Sequence, residues 1–154
     1  MITVDCDWLA IGGYDVAIRV RNAAYTVAEY RLEPGRLVPP HSHSREQEVS
    51  YVLDGAIGLR IGADEVTATP GSVVTKPPQV PHTFWNPGTR AAHVLEIIAP
   101  GGFEGYFREL AALYAAGPLD LGAVAELRER YGITAIPEWV PELKARHGLR
   151  LLGE

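Results

Sequence analysis

Through the first hundred residues, apolar side chains recur in short runs and in alternation with polar ones, at a period near two. Residues 15–20 and 24–32 are rich in β-branched residues and tyrosine, the signature of half-buried strands. Residues 48–53 form a third such run, closed by Asp54-Gly55, a strong turn dipeptide. Residues 56–61 pair back on it, and Gly62-Ala63-Asp64 turns the chain again. Residues 65–69, 72–75, 82–85 and 91–98 complete the series, with Pro70-Gly71, Pro77-Pro78 and Asn86-Pro87-Gly88 between them. Short strands with turn signals every ~8–12 residues predict an all-β sandwich or barrel. No internal repeat is present, so one barrel is expected rather than two.

After Pro100-Gly101-Gly102 the period lengthens. Phe103, Tyr106, Phe107, Leu110, Leu113 and Tyr114 fall on one face of an amphipathic helix. A second helix is predicted from a cap at Asp120 to Gly132, with Leu121, Val124, Leu127 and Tyr131 on one side. A third runs over residues 137–147, with Pro137 in its first turn and Gly148 beyond its end. The expected organisation is a barrel over residues 1–100 and a helical extension over 101–154 within the same domain. Those helices are too apolar on one face to stand in water, so they must pack on the barrel or on a partner subunit.

The bulk composition adds exclusions. The chain of 154 residues suits one domain with one core. Its net charge of −5 and pI near 5.5, without clustered Lys or Arg, argue against nucleic acid or an anionic membrane as partner. Cys6 is the single cysteine, so no intramolecular disulfide framework exists, and an idle thiol is expected. The first seven residues carry acids and no basic stretch before an apolar core, and no apolar run approaches the ~18 residues of a membrane span. A cytoplasmic location is the expectation.

Candidate chemistry begins at His41-Ser42-His43. Histidines at i and i+2 on an extended segment point to one face, and Pro39-Pro40 keeps the chain extended there. Glu48 lies at the wrong parity for a straight strand and joins them only if residues 44–47 bend. His82 precedes another short strand. Three nitrogens and one carboxylate oxygen suit a divalent first-row transition metal, with Fe, Mn, Co, Ni and Zn left open. His-x-His alone occurs about as often by chance. Lys76, His93 and His147 read as structural or solvated.

The wider spacing carries more. Gly35, His41, His43, Glu48 and Gly55 form one block; Gly71, Pro77, His82 and Asn86 form a second. Together these resemble the two signature motifs of the cupin superfamily, over roughly residues 25–98. The resemblance implies a jelly-roll barrel of two antiparallel sheets. It also implies metal ligation by His41, His43, Glu48 and His82, with Gly35, Gly55 and Gly71 in turns. Gln79 departs from the pattern, standing where the second motif usually has Gly. A changed loop shape is expected there, without loss of a ligand.

Strand alternation sketches the pocket. If Glu48 points inward, so do Ser50 and Val52; if His82 does, so does Phe84. Tyr51, Leu53 and Trp85 then face outward, against the C-terminal helices or a partner. An inner wall of Val and Phe favours an apolar, aromatic small-molecule substrate. Glu48 is also the candidate catalytic residue, since a carboxylate beside a metal can act as general base. A small single-barrel cupin with a helical tail resembles the quercetin 2,3-dioxygenase-like group. That implies a metal-dependent oxidoreductase acting on a phenolic, enolic or polyketide-like substrate. An O₂-independent cyclase, isomerase or decarboxylase remains open, as does a metal-containing binding module, because this fold hosts many chemistries. A homodimer is expected, from the frequency of two-fold oligomers.

Overall fold

A computed structural model describes residues 7–154, so Cys6 lies outside the described part of the chain. Strands β1 (Leu9–Ala10), β2 (Tyr14–Arg21) and β3 (Thr26–Leu32) open the first sheet. Next come β4 (Arg36–Leu37), β5 (His41–His43), β6 (Gln47–Asp54), β7 (Ile57–Ile61), β8 (Asp64–Ala68), β9 (Val73–Lys76), β10 (His82–Trp85) and β11 (Ala92–Ala99). One sheet has the order β1-β2-β3-β11-β6-β9. In the other, β10 pairs with β7 along one edge and with β5 and β4 along the other, while β8 extends β7. Together they make a jelly-roll barrel, and the inward-facing residues of both sheets form its core.

The expected strands agree with the observed ones to within two residues at each end. Alternation is clean on β3 and β11, where Ala28, Tyr30 and Leu32 are buried on one and Val94, Glu96 and Ile98 on the other. The extension begins with α1 (Glu104–Ala115) and α2 (Leu121–Arg130). Asp120 caps α2, its side chain accepting from the Ala123 backbone N–H at 3.0 Å. Further on, α3 (Val140–His147) ends at Gly148 with φ of 65°. None of these helices is long and apolar enough to cross a membrane, among the described residues.

The extension is not helical throughout, which corrects the sequence-based expectation. Two short strands, β12 (Ile133–Ala135) and β13 (Arg150–Leu151), return to the barrel. β12 pairs antiparallel with β5, placing Ile133 opposite His43, and β13 pairs parallel with β4. Segments of two or three residues carry too little periodicity to be read from sequence. Backbone pairing, besides apolar packing, therefore fixes the tail on its own barrel. Trp85 faces outward onto the C-terminal helices, as alternation predicts: it packs with Leu37 beneath Leu143 and Leu149, and its ring stacks on His147 at 4.7 Å. Tyr51 and Leu53 are exposed, as alternation predicts.

The loop at Gln79 differs from expectation as well. Its φ is 64°, so Gln79 takes the left-handed conformation that glycine adopts readily, and the loop keeps the shape a glycine would give. Its backbone N–H donates to the His43 carbonyl at 2.7 Å, which holds the strained residue in place. Gln79→Gly relieves a left-handed penalty of about 1–2 kcal/mol. It adds back glycine's greater chain entropy, about 0.5–1 kcal/mol. A net stabilisation of up to about 1.5 kcal/mol is expected, read as a higher chemical denaturation midpoint, and a lower midpoint would contradict this account.

Candidate metal centre

The four motif residues come from three strands. His41 and His43 lie on β5, Glu48 opens β6, and His82 opens β10 opposite His41. The expected bend is present: β5 ends at His43, residues 44–45 turn, and β6 starts at Gln47. That break restores the parity Glu48 needs. One ligand atom from each of the four lies within 4.8 Å of all the others.

Two of the three imidazoles are oriented through a hydrogen bond at Nδ1. His41 Nδ1 lies 2.7 Å from the Pro39 carbonyl and His82 Nδ1 lies 3.0 Å from the Val80 carbonyl. A carbonyl oxygen only accepts, so both Nδ1 atoms carry the proton and both Nε2 atoms present lone pairs. His43 Nδ1 faces the buried Glu46 carboxylate at 3.6 Å. Carbonyl acceptors such as those of Pro39 and Val80 fix the tautomer of metal-binding histidines, whereas Glu46 meets His43 as a charge beyond hydrogen-bond distance. Glu46 belongs to the bend that restores parity, and the sequence reading passed over it.

The resulting arrangement needs a cation. His82 Nε2 is buried without a hydrogen-bond partner, although the Glu48 carboxylate lies 3.0 Å away. With its proton on Nδ1, His82 has nothing to donate, and two lone-pair-bearing atoms face each other. His41 Nε2 and His43 Nε2 are 3.1 Å apart. In the metal-free protein His43 supplies the positive charge. Burial works against that charge, but the Glu46 and Glu48 carboxylates outweigh it and raise its pKa to about 9. His41 is pushed well below the usual imidazole range, chiefly by burial and also by the positive charge of His43. These residues fit a divalent metal, whose bonds of about 2.0–2.2 Å require only a modest contraction of the cluster. Four protein ligands leave positions open on a six-coordinate ion.

Behind Glu48 lies a buried ionic network that the sequence reading missed. Lys76, taken as structural or solvated, is 1% exposed and sits opposite Glu48 in the β6–β9 ladder. Its Nζ lies 3.4 Å from Glu48 Oε2 and 2.5 Å from Glu96 Oε1. Ser50 Oγ donates to Glu96 Oε2 at 2.6 Å. Burial tends to raise the Glu48 pKa, but the Lys76 charge foremost, together with His43, overcomes this and holds the carboxyl well below its usual range. Glu96, buried and sharing Lys76 with Glu48, is raised to about 7. His93 pairs with Glu29 and His147 stacks on Trp85, both away from the cluster.

A cavity of about 400 Å³ opens in front of the cluster, with His41, His43 and Glu48 in its wall. Of the three residues expected in the pocket, Phe84 lines this cavity. Ser50 and Val52 do not: both point inward, but Ser50 is taken up by Glu96 and Val52 is sealed in the core. Much of the remaining wall comes from the tail, including Phe103, Tyr106, Phe107 and Leu110. The Phe103 ring packs edge-on against His43 at 4.9 Å. Alternation within one strand shows which side chains point inward, and a wall supplied by another element lies beyond its reach.

The spacing of ligands and turn glycines, the barrel and the clustered histidines agree with a family match: the cupin domain model aligns with residues 28–98. This segment is a cupin domain. Solved structures agree on the fold. KdgF from Halomonas sp. is 19% identical, with TM-score 0.61, covering 64% of this chain and 92% of that one. An RmlC-like cupin from Shewanella frigidimarina is 20% identical, with TM-score 0.56, covering 61% and 82%. A predicted oxalate decarboxylase from Thermotoga maritima is 25% identical, with TM-score 0.53, covering 56% and 80%. No curated protein matches the sequence. The matched segment holds the four residues of the His/Glu cluster and the strands from β4 to β10 with most of β3 and β11, while β1 and β2 precede it and α1, α2 and α3 follow it.

Proposed function

We propose that this chain is a metal-dependent cupin enzyme carrying out dioxygenase-type oxidation of a small phenolic, enolic or polyketide-like substrate. The observation that carries the reading is the placement of the ligand cluster in the wall of a tail-covered aromatic cavity. A first-row divalent metal held by His41, His43, Glu48 and His82 would supply Lewis acidity and, for a redox-active ion, electron transfer. The chain's own residues do the rest. Phe84 and the aromatic residues of the tail hold a flat substrate and exclude water. Lys76, itself fixed by Glu96, holds the Glu48 carboxylate ionised at the cavity wall. There Glu48 can accept the proton of a substrate hydroxyl.

The test is elemental analysis of protein purified without chelator, followed by oxygen uptake with a panel of flavonols and hydroxyquinones. Metal near one equivalent with substrate-dependent uptake supports the reading. Substrate loss under argon would replace it with the oxygen-independent class, and no metal under any loading condition would defeat both. In Glu48→Gln, turnover is expected to fall by about 10²-fold or more, measured on protein with a matched metal content. Retained turnover in that variant would remove the base role.

A further inference from the structure

The cavity wall is aromatic and aliphatic apart from the metal-centre residues, with one exception. Arg128, on α2, reaches it from the side of the tail. Among the described residues no carboxylate forms an ion pair with Arg128, whereas the neighbouring Arg130 is paired with Glu109 at 2.8 Å. Its neighbours in the wall are instead phenols. Burial pushes the Tyr106 hydroxyl up, and a hydrogen bond with Arg128 together with its charge draws it back. Tyr114 also feels the Arg128 charge.

Arg128 stands at a definite remove from the metal centre. His43 packs on Phe103 at 4.9 Å, Phe103 packs on Tyr106 at 5.1 Å, and Tyr106 meets Arg128. Two ring contacts therefore separate the cationic wall from the ligand cluster, with an apolar span between them. A guanidinium presents a planar fork of donors matched to a carboxylate, and such pairs strengthen where water is scarce. An arginine without an acidic partner among the described residues, on the wall of an otherwise apolar cavity, has the chemistry to receive an anion.

We propose that the cavity takes an aromatic acid whose carboxylate pairs with Arg128 while a ring hydroxyl or enol oxygen reaches the histidine cluster. This rests on the proposed function for the identity of the cluster end, and on Arg128 alone for the acid end. The acid group sets register: it fixes how deep the ring enters and which ring oxygen meets Glu48. A neutral substrate of the same shape would leave the arginine unpaired and partly desolvated, and is disfavoured.

The test is calorimetric binding of three probes: 6-hydroxy-2-naphthoate, its methyl ester, and 2-naphthol. Each is titrated into zinc-loaded protein and into chelator-treated protein. The acid is expected to bind at least about tenfold more tightly than the ester or the naphthol, since a hydrogen bond to a charged group contributes on this scale. Arg128→Gln abolishes that preference without changing the thermal midpoint, and Arg128→Lys retains part of it. Equal binding of acid and ester, a preference that survives Arg128→Gln, or no binding of any probe at millimolar concentration overturns the inference. The acid preference is read in both metal states. If the protein holds no metal, the functional reading falls, yet the Arg128 subsite still stands or falls by its own arm. If metal is held and the acid shows no preference, only the subsite is lost.

Discussion

His82→Ala protein will purify with far less than one equivalent of metal, its affinity reduced by more than about 10²-fold. Losing only an outer partner of a metal ligand costs about 10- to 100-fold, so losing a ligand costs more. The buried His82 Nε2 has no other employment: its ring is aimed by the Val80 carbonyl and its free nitrogen faces Glu48. His41→Ala is expected to behave alike, because the Pro39 carbonyl aims it in the same way. His93→Ala and His147→Ala serve as controls, since the first pairs with Glu29 and the second stacks on Trp85. Metal content by mass spectrometry, with circular dichroism to verify folding, reads the outcome. Full metal content in a folded His82→Ala protein would defeat the assignment of the centre.

Much of the barrel and the whole ligand cluster were legible in the sequence. The barrel follows from local rules, alternation and turn dipeptides, as does the i, i+2 pairing of His41 and His43; Glu48 and His82 joined them only through the motif spacing that resembles the cupin superfamily. The Lys76–Glu96 network was not read, although part of the signal was present. Glu96 shares the parity of Val94 and Ile98 on β11, so alternation alone puts its carboxyl inside the barrel. A buried carboxylate demands a cationic partner. Lys76 could be named as that partner only once β6 and β9 were known to pair with Glu48 opposite Lys76. Pairing between strands separated in sequence is a tertiary fact. The same holds for Ser50 and Val52, whose direction alternation gave correctly but whose cover comes from other elements. Gln79 is a different case. Its side chain argues against a left-handed residue, and a backbone hydrogen bond to β5 overrides that preference.

The barrel and its tail form one cooperative unit, and truncation at Pro100 is expected to abolish stable folding. Deletion also removes the entropic cost of ordering the tail, so the relevant loss is what the barrel itself no longer has. Leu37 and Trp85 lose Leu143 and Leu149, and Tyr30 loses the Phe107 ring that meets it at 5.9 Å. Three large side chains returned toward water cost roughly 5–9 kcal/mol. That is comparable to the whole stability of a typical domain, about 5–15 kcal/mol. The strand edges suffer too: β5 loses β12, and β4 loses β13. The freed β5 edge carries two of the four candidate ligands, so the metal centre loosens with it, and unpaired strand edges invite aggregation. The truncated chain is therefore expected to be insoluble or to lack a cooperative denaturant transition, and to hold no stoichiometric metal. A truncated protein that remains soluble, unfolds cooperatively and binds metal like the intact chain would show that the barrel stands alone. The tail would then serve only to wall the cavity, and its removal would weaken binding of an aromatic probe while leaving metal content unchanged.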